Sequence, residues 1–333
     1  MKFKALQVSE TIEGSIERKI IERELEELPQ GEVLIKVNYS SLNYKDALSA
    51  TGNKGITKKY PHTPGIDAAG IVEISRNEAF RVGEEVIITG YDLGMNTDGG
   101  YGEYIRVPAD WVITKPSAYS LKEAMIIGTA GFTAASALYK MELMGMNPSR
   151  GPIVVTGSTG GVGSMAVAIL SSAGYEVIAV TGKEHAKEYL EHLGATQIES
   201  RDWVNDTSGK ALLRPQWAGA IDTVGGNTLA TLLKGCKWEG CVVSTGLVSS
   251  PKLETTVYPF ILNGVSLLGV GSAEMPLVLK QAIWNKLSNE WNIKDKLGAI
   301  VKEVSLEELN STYIDSILKG NVMGRIVVRM VEG

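Results

Sequence analysis

The sequence is poor in soft metal ligands and has no long apolar run. Its 333 residues hold two cysteines, Cys236 and Cys241, and three histidines, His62, His185 and His192. A single closely spaced cysteine pair builds neither a disulfide framework nor a four-cysteine zinc site, so two buried thiols are expected. His185 and His192 fall in a charged helical stretch and read as solvated, while His62, between Pro61 and Pro64, reads as a loop residue. Apolar runs such as Ile153–Val155 and Val177–Val180 end at threonine or soon after, far below the roughly 18 residues that span a bilayer. The opening Met1-Lys2-Phe3-Lys4-Ala5-Leu6 has no apolar stretch and no small-residue cleavage site, so no signal peptide is read and the cytoplasm is the expected location. Positive charge is not in excess either. With 33 Lys and Arg against 38 Asp and Glu, the formal charge of -5 argues against general nucleic-acid or anionic-membrane binding.

What is present is an ordinary globular composition, 44% hydrophobic and 21% charged, in a chain long enough for about two domains. As far as about Leu121, short β-type runs alternate with turn signals, as where Gly31 precedes Val33–Val37 and Gly83 precedes Val86–Ile88. That piece, 1–121, reads as a β-rich domain or partial barrel. The acidic run Glu17–Pro29 within it reads as a solvated face or hairpin. From 122 to about 295 the pattern changes to apolar strands alternating with helix-period segments. Strands are expected at Ile153–Gly157, Glu176–Thr181, Gln197–Glu199, Ala220–Val224, Cys241–Thr245 and Ser266–Val270, which suggests a doubly wound parallel Rossmann sheet. In the remainder, about 296–333, a short helix over Ser305–Leu318 and a strand over Arg325–Met330 are expected to return to the first domain.

The most informative stretch is Val154-Val155-Thr156-Gly157-Ser158-Thr159-Gly160-Gly161-Val162-Gly163-Ser164. An apolar strand runs into a glycine-rich turn and then a helix, the arrangement that receives a dinucleotide pyrophosphate. Gly160 and Gly161 allow backbone N–H groups to approach the ligand, Gly163 permits close helix–strand packing, and the helix N-terminus adds partial positive charge. Ser158 occupies the first glycine position of the usual pattern, with Gly157 before it able to serve the turn. Beyond the next strand the sequence is Val180-Thr181-Gly182-Lys183, with no carboxylate to bind a ribose 2'-hydroxyl. Thr181 can donate a hydrogen bond and Lys183 can supply charge to a 2'-phosphate, so NADP is the expected cofactor.

The stretches Ser41–Asp46, Tyr60–Val72, Gly128–Ala134, the glycine turn and the final Gly324–Val328 together resemble the zinc-independent medium-chain dehydrogenase/reductase superfamily, over essentially the whole chain. Leu42–Asp46, Gly65–Asp67, Thr89-Gly90-Tyr91 and Gly99-Gly100 resemble more narrowly the YhdH/YhfP-type quinone oxidoreductases and acryloyl-CoA reductases. The resemblance implies a GroES-like catalytic domain beside the Rossmann domain. It also implies an NADPH-dependent reductase of an activated acceptor, either a conjugated carbonyl compound such as an enone or CoA thioester, or a quinone. Zinc-dependent relatives carry ligands near Asn43, at Ile66 and near Thr129, and none of the three positions here keeps one, so no metal is expected. Asn43 and Tyr44 are then the candidates to donate hydrogen bonds to the acceptor, with a role in holding the domain interface as the alternative. Asp67 is expected to brace the site. Thr129 is placed either on the cofactor or as a helix N-cap. Asn263, Asn321 and Arg325 fall in segments that approach the cofactor in similar enzymes. Lys54, Lys58 and Lys59 form a basic loop that either meets CoA phosphates or is simply solvated. A homodimer is expected through an edge strand near Ser266–Val270. The rival reading is a non-catalytic NADPH-binding redox sensor or structural protein.

Overall fold

The computed structural model describes residues 1–331, and the chain divides into two units, one of Met1–Thr129, Ala273–Ser288 and Ile300 onward, the other of Ala130–Ser272 with Asn289–Ala299. The sequence places the boundary at 121/122 and gives 122–295 to one domain. The structure divides the chain at 129/130, inside the helix Leu121–Leu143, and returns 273–288 to the first unit. Segment 273–288 is joined to the first unit by hydrogen bonds from the buried Lys280 ammonium to Thr89 O, from the Tyr119 hydroxyl to Leu287 O and from Tyr91 N to Ala273 O.

The second unit carries a six-stranded sheet, all of whose pairings are parallel. Its spatial order is Gln197–Ser200, Val177–Thr181, Ile153–Thr156, Trp217–Asp222, Cys236–Ser244, Ser266–Gly269. Order reverses after the strand Ile153–Thr156, so this is the doubly wound arrangement that opens a crevice at the carboxyl ends of its central strands. The central strands Ile153–Thr156, Val177–Thr181 and Trp217–Asp222 are rich in Val, Ile and Ala and buried on both faces, as parallel strands under helices must be, while the edge strands Gln197–Ser200 and Ser266–Gly269 are partly exposed. Val154, Ile178, Ala220 and Val242 pack with Leu229, Leu232 and Leu233 of the helix Gly226–Lys234. Two strands start earlier than the sequence suggests. Trp217 is buried with its indole N–H donated to Leu232 O, and the ladder shifts register between Trp217 and Gly219 to admit Cys236. Both cysteines are buried, and burial pushes the Cys236 thiol up to about 12, which leaves it protonated and unreactive.

The first unit is built on a seven-stranded sheet. Val33–Leu42 pairs with Asp67–Ser75, and Asp67–Ser75 with Glu85–Thr89, while Arg325–Arg329 lies along the other edge of Val33–Leu42 with Ile326 opposite Leu42. The chain's last strand thereby places Arg325 beside Leu42 and Asn43. A hairpin, Lys2–Glu10 with Ile16–Glu24, accounts for the acidic run as a half-exposed strand. Val33, Ile35, Val37, Ala68, Val86, Ile88 and Val328 form the core beneath the sheet. Among the described residues no helix is long and apolar enough to cross a membrane.

Candidate active site

In the second unit the strand Ile153–Thr156 ends at Gly157, whose φ of +59° is open to glycine at little cost. A side chain there would also meet the Thr223 hydroxyl at 2.2 Å. That hydroxyl donates to Thr156 O, and the Thr156 hydroxyl donates to Asp222 Oδ1 at 2.6 Å, so buried Asp222 fastens the ends of two adjacent strands. Gly160 caps the helix Gly161–Ser172, and its own N–H closes the turn onto Gly157 O. The first intrahelical bond runs from Ser164 N to Gly160 O, which leaves the N–H groups of Gly161, Val162 and Gly163 without an intrahelical acceptor. A Cβ on Gly163 would sit 2.2 Å from Gly157 O, so only glycine lets helix and turn approach this closely. The cradle fits a pyrophosphate. Ser158 faces the other way: it is fully buried and donates to Val155 O and Val180 O, so it holds the turn to the sheet. Thr159 lies near Thr181, with 3.4 Å between their hydroxyl oxygens.

At the next strand end the Thr181 hydroxyl accepts from Lys183 N at 3.1 Å. Thr181, Gly182, Lys183 and Arg201 line one open cavity of about 740 Å³. Ser200 pairs with Thr181 in the parallel ladder, and this register delivers Arg201 over Gly182, where any Cβ would lie 2.4 Å from Arg201 Nε. Burial and the neighbouring Arg201 charge both push the Lys183 ammonium down. Two cations held together in this way are disposed for an anion, although Glu184, Glu199 and Asp202 line the same cavity and limit its net positive charge. Arg201 was not legible as a site residue by itself. The order of the second and third strands was the signal that could have found it.

The first unit holds a buried polar cluster around Asp67. Three donors meet its Oδ2: the Ser41 hydroxyl at 2.6 Å, Asn43 Nδ2 at 2.8 Å and the Thr129 N–H at 2.9 Å. The Thr129 hydroxyl donates to Oδ1 at 2.5 Å. Arg325, also buried, lies 3.8 Å from the carboxylate and donates to Ser41 Oγ, Asn43 Oδ1, Leu42 O and Ile126 O. Asp46 completes the group. It accepts from Asn43 N and Nδ2 and from Ile66 N, and burial together with the Asp67 charge pushes its carboxyl up to about 7.

This geometry distributes the sequence candidates unevenly. Asn43, Asp67, Thr129 and Arg325 are brought together, and all four are spent on one another. Both amide protons of Asn43 go to carboxylates and its carbonyl accepts from Arg325, so Asn43 anchors the helix Tyr44–Ala50 and has no donor to spare. Arg325 is 3% exposed and opens the strand Arg325–Arg329, as expected there, a position from which it braces Asn43. Tyr44 differs: it is 53% exposed, and its hydroxyl makes no hydrogen bond among the described residues. Asn321 is an exposed loop residue, and Asn263 ends the short helix Tyr258–Asn263. Lys54 is held by Glu10 at 2.6 Å and lies over the Tyr60 ring, while Lys58 and Lys59 are exposed. The donor set does not fit zinc. Asn43, buried Ile66 and Thr129 supply no thiolate or imidazole, and no group of three or more His, Cys, Asp or Glu among the described residues is arranged to hold a metal.

Residues 29–117 match the alcohol dehydrogenase GroES-like domain family and 161–287 the zinc-binding dehydrogenase family. YhfP of Bacillus subtilis, which carries a quinone-oxidoreductase name, is 45% identical over 98% of this chain and 99% of its own. The acrylyl-CoA reductase AcuI of Ruegeria pomeroyi is 43% identical over 98% of each chain. The crystal structure of the YhdH oxidoreductase from Salmonella enterica with NADP superposes with a TM-score of 0.95 at 40% identity, over 99% of this chain and 100% of that one. A crystal structure of YhfP has NAD bound and superposes with a TM-score of 0.96 at 44% identity, over 99% of each chain. With relatives this similar along their full length, the chain belongs to the medium-chain dehydrogenase/reductase superfamily, in its YhdH/YhfP-type quinone oxidoreductase and acryloyl-CoA reductase subgroup.

Proposed function

We propose that this protein is an NADPH-dependent oxidoreductase that reduces an activated conjugated acceptor, an enoyl thioester or enone on one side or a quinone on the other, without zinc. The observation that carries the reading is the glycine cradle Gly157–Gly163 followed, at the next strand end, by Thr181, Lys183 and Arg201 in place of a carboxylate. NADPH supplies the hydride when bound. The chain's own contribution begins with the N–H groups of Gly161, Val162 and Gly163, which receive the pyrophosphate, and with Thr181, Lys183 and Arg201, which receive the 2'-phosphate. NADP and NADPH in the YhdH structures support this preference, while NAD in YhfP makes it worth measuring directly. Replacing Lys183 and Arg201 together with alanine is expected to lower the NADPH-over-NADH ratio of kcat/KM by at least about 100-fold, since each charge-assisted bond contributes about 1.5–3 kcal/mol. An unchanged ratio would place the 2'-phosphate elsewhere.

On the acceptor side, Asp67 holds Asn43 and Thr129 rigid, and exposed Tyr44 presents the hydroxyl able to donate to a carbonyl oxygen as negative charge builds there. The deciding experiment follows NADPH consumption with acryloyl-CoA, a simple enone and a benzoquinone, each with NADH as control. Saturated thioester from the first makes the protein an enoyl-type reductase, and activity confined to the benzoquinone makes it a quinone reductase. No turnover with any of them overturns the reading. Lys54 is already neutralised by Glu10, which leaves only Lys58 and Lys59 of the basic loop for CoA phosphates.

A cytoplasmic homodimer is part of the same proposal. The strand Ser266–Gly269 ends the six-stranded sheet, and the preceding helix exposes Tyr258, Ile261 and Leu262. Pairing of that edge with its twofold mate would remove two open edges and cover apolar surface. Sedimentation as a monomer at micromolar concentration would exclude it.

A further inference from the structure

Lys280 is fully buried on the helix Leu277–Ser288, in line with Ile283, Trp284 and Leu287. A lysine in such a place must spend its charge locally. Its ammonium donates to Thr89 O at 2.5 Å and lies 3.4 Å from the centroid of the Tyr91 ring. That ring stacks on Trp111, with 5.5 Å between centroids and 6° between planes, and Tyr91 takes a φ of +54° that non-glycine residues rarely adopt. The turn that the ammonium pins leads directly into the Asp46–Asp67 cluster. Thr89 is the cross-strand partner of Asp67, the next residue's N–H (Gly90) donates to Ile66 O, and Ile66 N donates to Asp46 Oδ1.

We infer that Lys280 is a positioning residue for the reaction: its ammonium fixes the Thr89–Tyr91 turn and, through Ile66, sets Asp46 and Asp67 against Asn43 and Thr129. The role lapses when the amine loses its proton, because a neutral amine is a weak donor to Thr89 O and has no attraction for the ring. The charged groups acting on Lys280 are Asp67 across the strand pair and Glu274 before its own helix, both favouring the ammonium. Burial outweighs them and lowers it to about 8. Glu274 and Asp110 act on the Tyr91 hydroxyl, and burial with these two charges raises it, so Tyr91 does not titrate in the same range.

The inference rests on the proposed reduction, so the test needs a readout with turnover and one without. The kcat of the wild-type enzyme is expected to fall as pH rises through about 8, the same limb should vanish in Lys280→Arg, whose guanidinium stays charged, and Lys280→Met should lose about tenfold in kcat at pH 7 with the NADPH KM unchanged. A limb that persists in the arginine variant, a wild-type profile flat from pH 7 to 9.5, or a folded methionine variant with full kcat overturns the inference. The wild-type profile decides even if the methionine variant fails to fold. Amide hydrogen exchange is the readout without turnover, and wild-type protein compared at pH 7 and 9.5, corrected for intrinsic rate, serves if variants are lost. Faster corrected exchange in residues 65–70 and 88–92 at the higher pH, with 153–172 unchanged, supports the pin. Unchanged protection in those segments overturns it even where no acceptor is reduced, so failure of the inference and failure of the reduction reading remain distinct.

Discussion

Asp67→Asn is expected to lower stability by about 3 kcal/mol, read as the shift in urea midpoint, because it breaks a buried ion pair and leaves its partner charge uncompensated. The carboxylate accepts from four donors through two oxygens, three of them on Oδ2, and an amide can accept through only one atom. In either orientation its NH2 group faces a donor: Thr129 Oγ1 on one side, or the Ser41, Asn43 and Thr129 donors on the other. Arg325, 3.8 Å away and buried, would lose the nearest opposite charge that lowers its cost of burial. Ser40→Ala removes one buried neutral hydrogen bond, from the Ser40 hydroxyl to Asp67 O, and should cost about 1 kcal/mol. The contrast separates charge from hydrogen-bond count, and equal losses in the two variants would show that the ion pair contributes little. Because Asp67 also aligns Asn43 and Thr129, the asparagine variant should lose kcat far more than NADPH affinity, which the proposed reading assigns to the glycine turn.

The parts of this molecule that local pattern controls were legible in the chain. Apolar runs mark the central parallel strands, and Gly157 and Gly163 mark the cradle because a side chain at either would lie 2.2 Å from the Thr223 hydroxyl or from Gly157 O. Long-range pairing is what the residues conceal. Arg325 opens a strand that the sequence suggests, yet only the pairing of that strand with Val33–Leu42, Ile326 opposite Leu42, reveals that it braces Asn43. Lys280 reads as one more helical lysine, yet its spacing of three, four and seven from Ile283, Trp284 and Leu287 put it on the buried face, a signal present but overshadowed by its charge. Ser158 shows the reverse case. Its place in the motif suggested ligand contact, while a hydroxyl small enough to turn inward was taken up by two carbonyls of the sheet.

Gly128→Ala is expected to lower kcat/KM by at least about 100-fold and to reduce thermal stability. Gly128 interrupts the helix Leu121–Leu143 with φ 47° and ψ −158°, a conformation close to the region that is nearly closed to other residues. The interruption also turns the Thr129 N–H out of the helical ladder and onto Asp67. Backbone strain alone would cost about 1–3 kcal/mol. Contacts add more, since a Cβ would lie 2.6 Å from Asp67 Oδ2 and 2.9 Å from both Arg325 Nη2 and Ser41 Oγ. None of those atoms is the loose end of a solvated side chain, so the cluster itself must shift, and a shift of this size at positioning groups is costly to rate. Gly83→Ala supplies the control: its φ is +88° and nothing lies within 4 Å of the added carbon, so it isolates the backbone cost of a left-handed glycine. If the two variants lose stability and activity equally, the contacts with Asp67 and Arg325 are tolerated and the cluster is softer than its hydrogen bonds imply. If only Gly128→Ala loses turnover while NADPH still binds, the missing side chain at 128 is what allows Thr129, Asp67 and Arg325 to share one buried site.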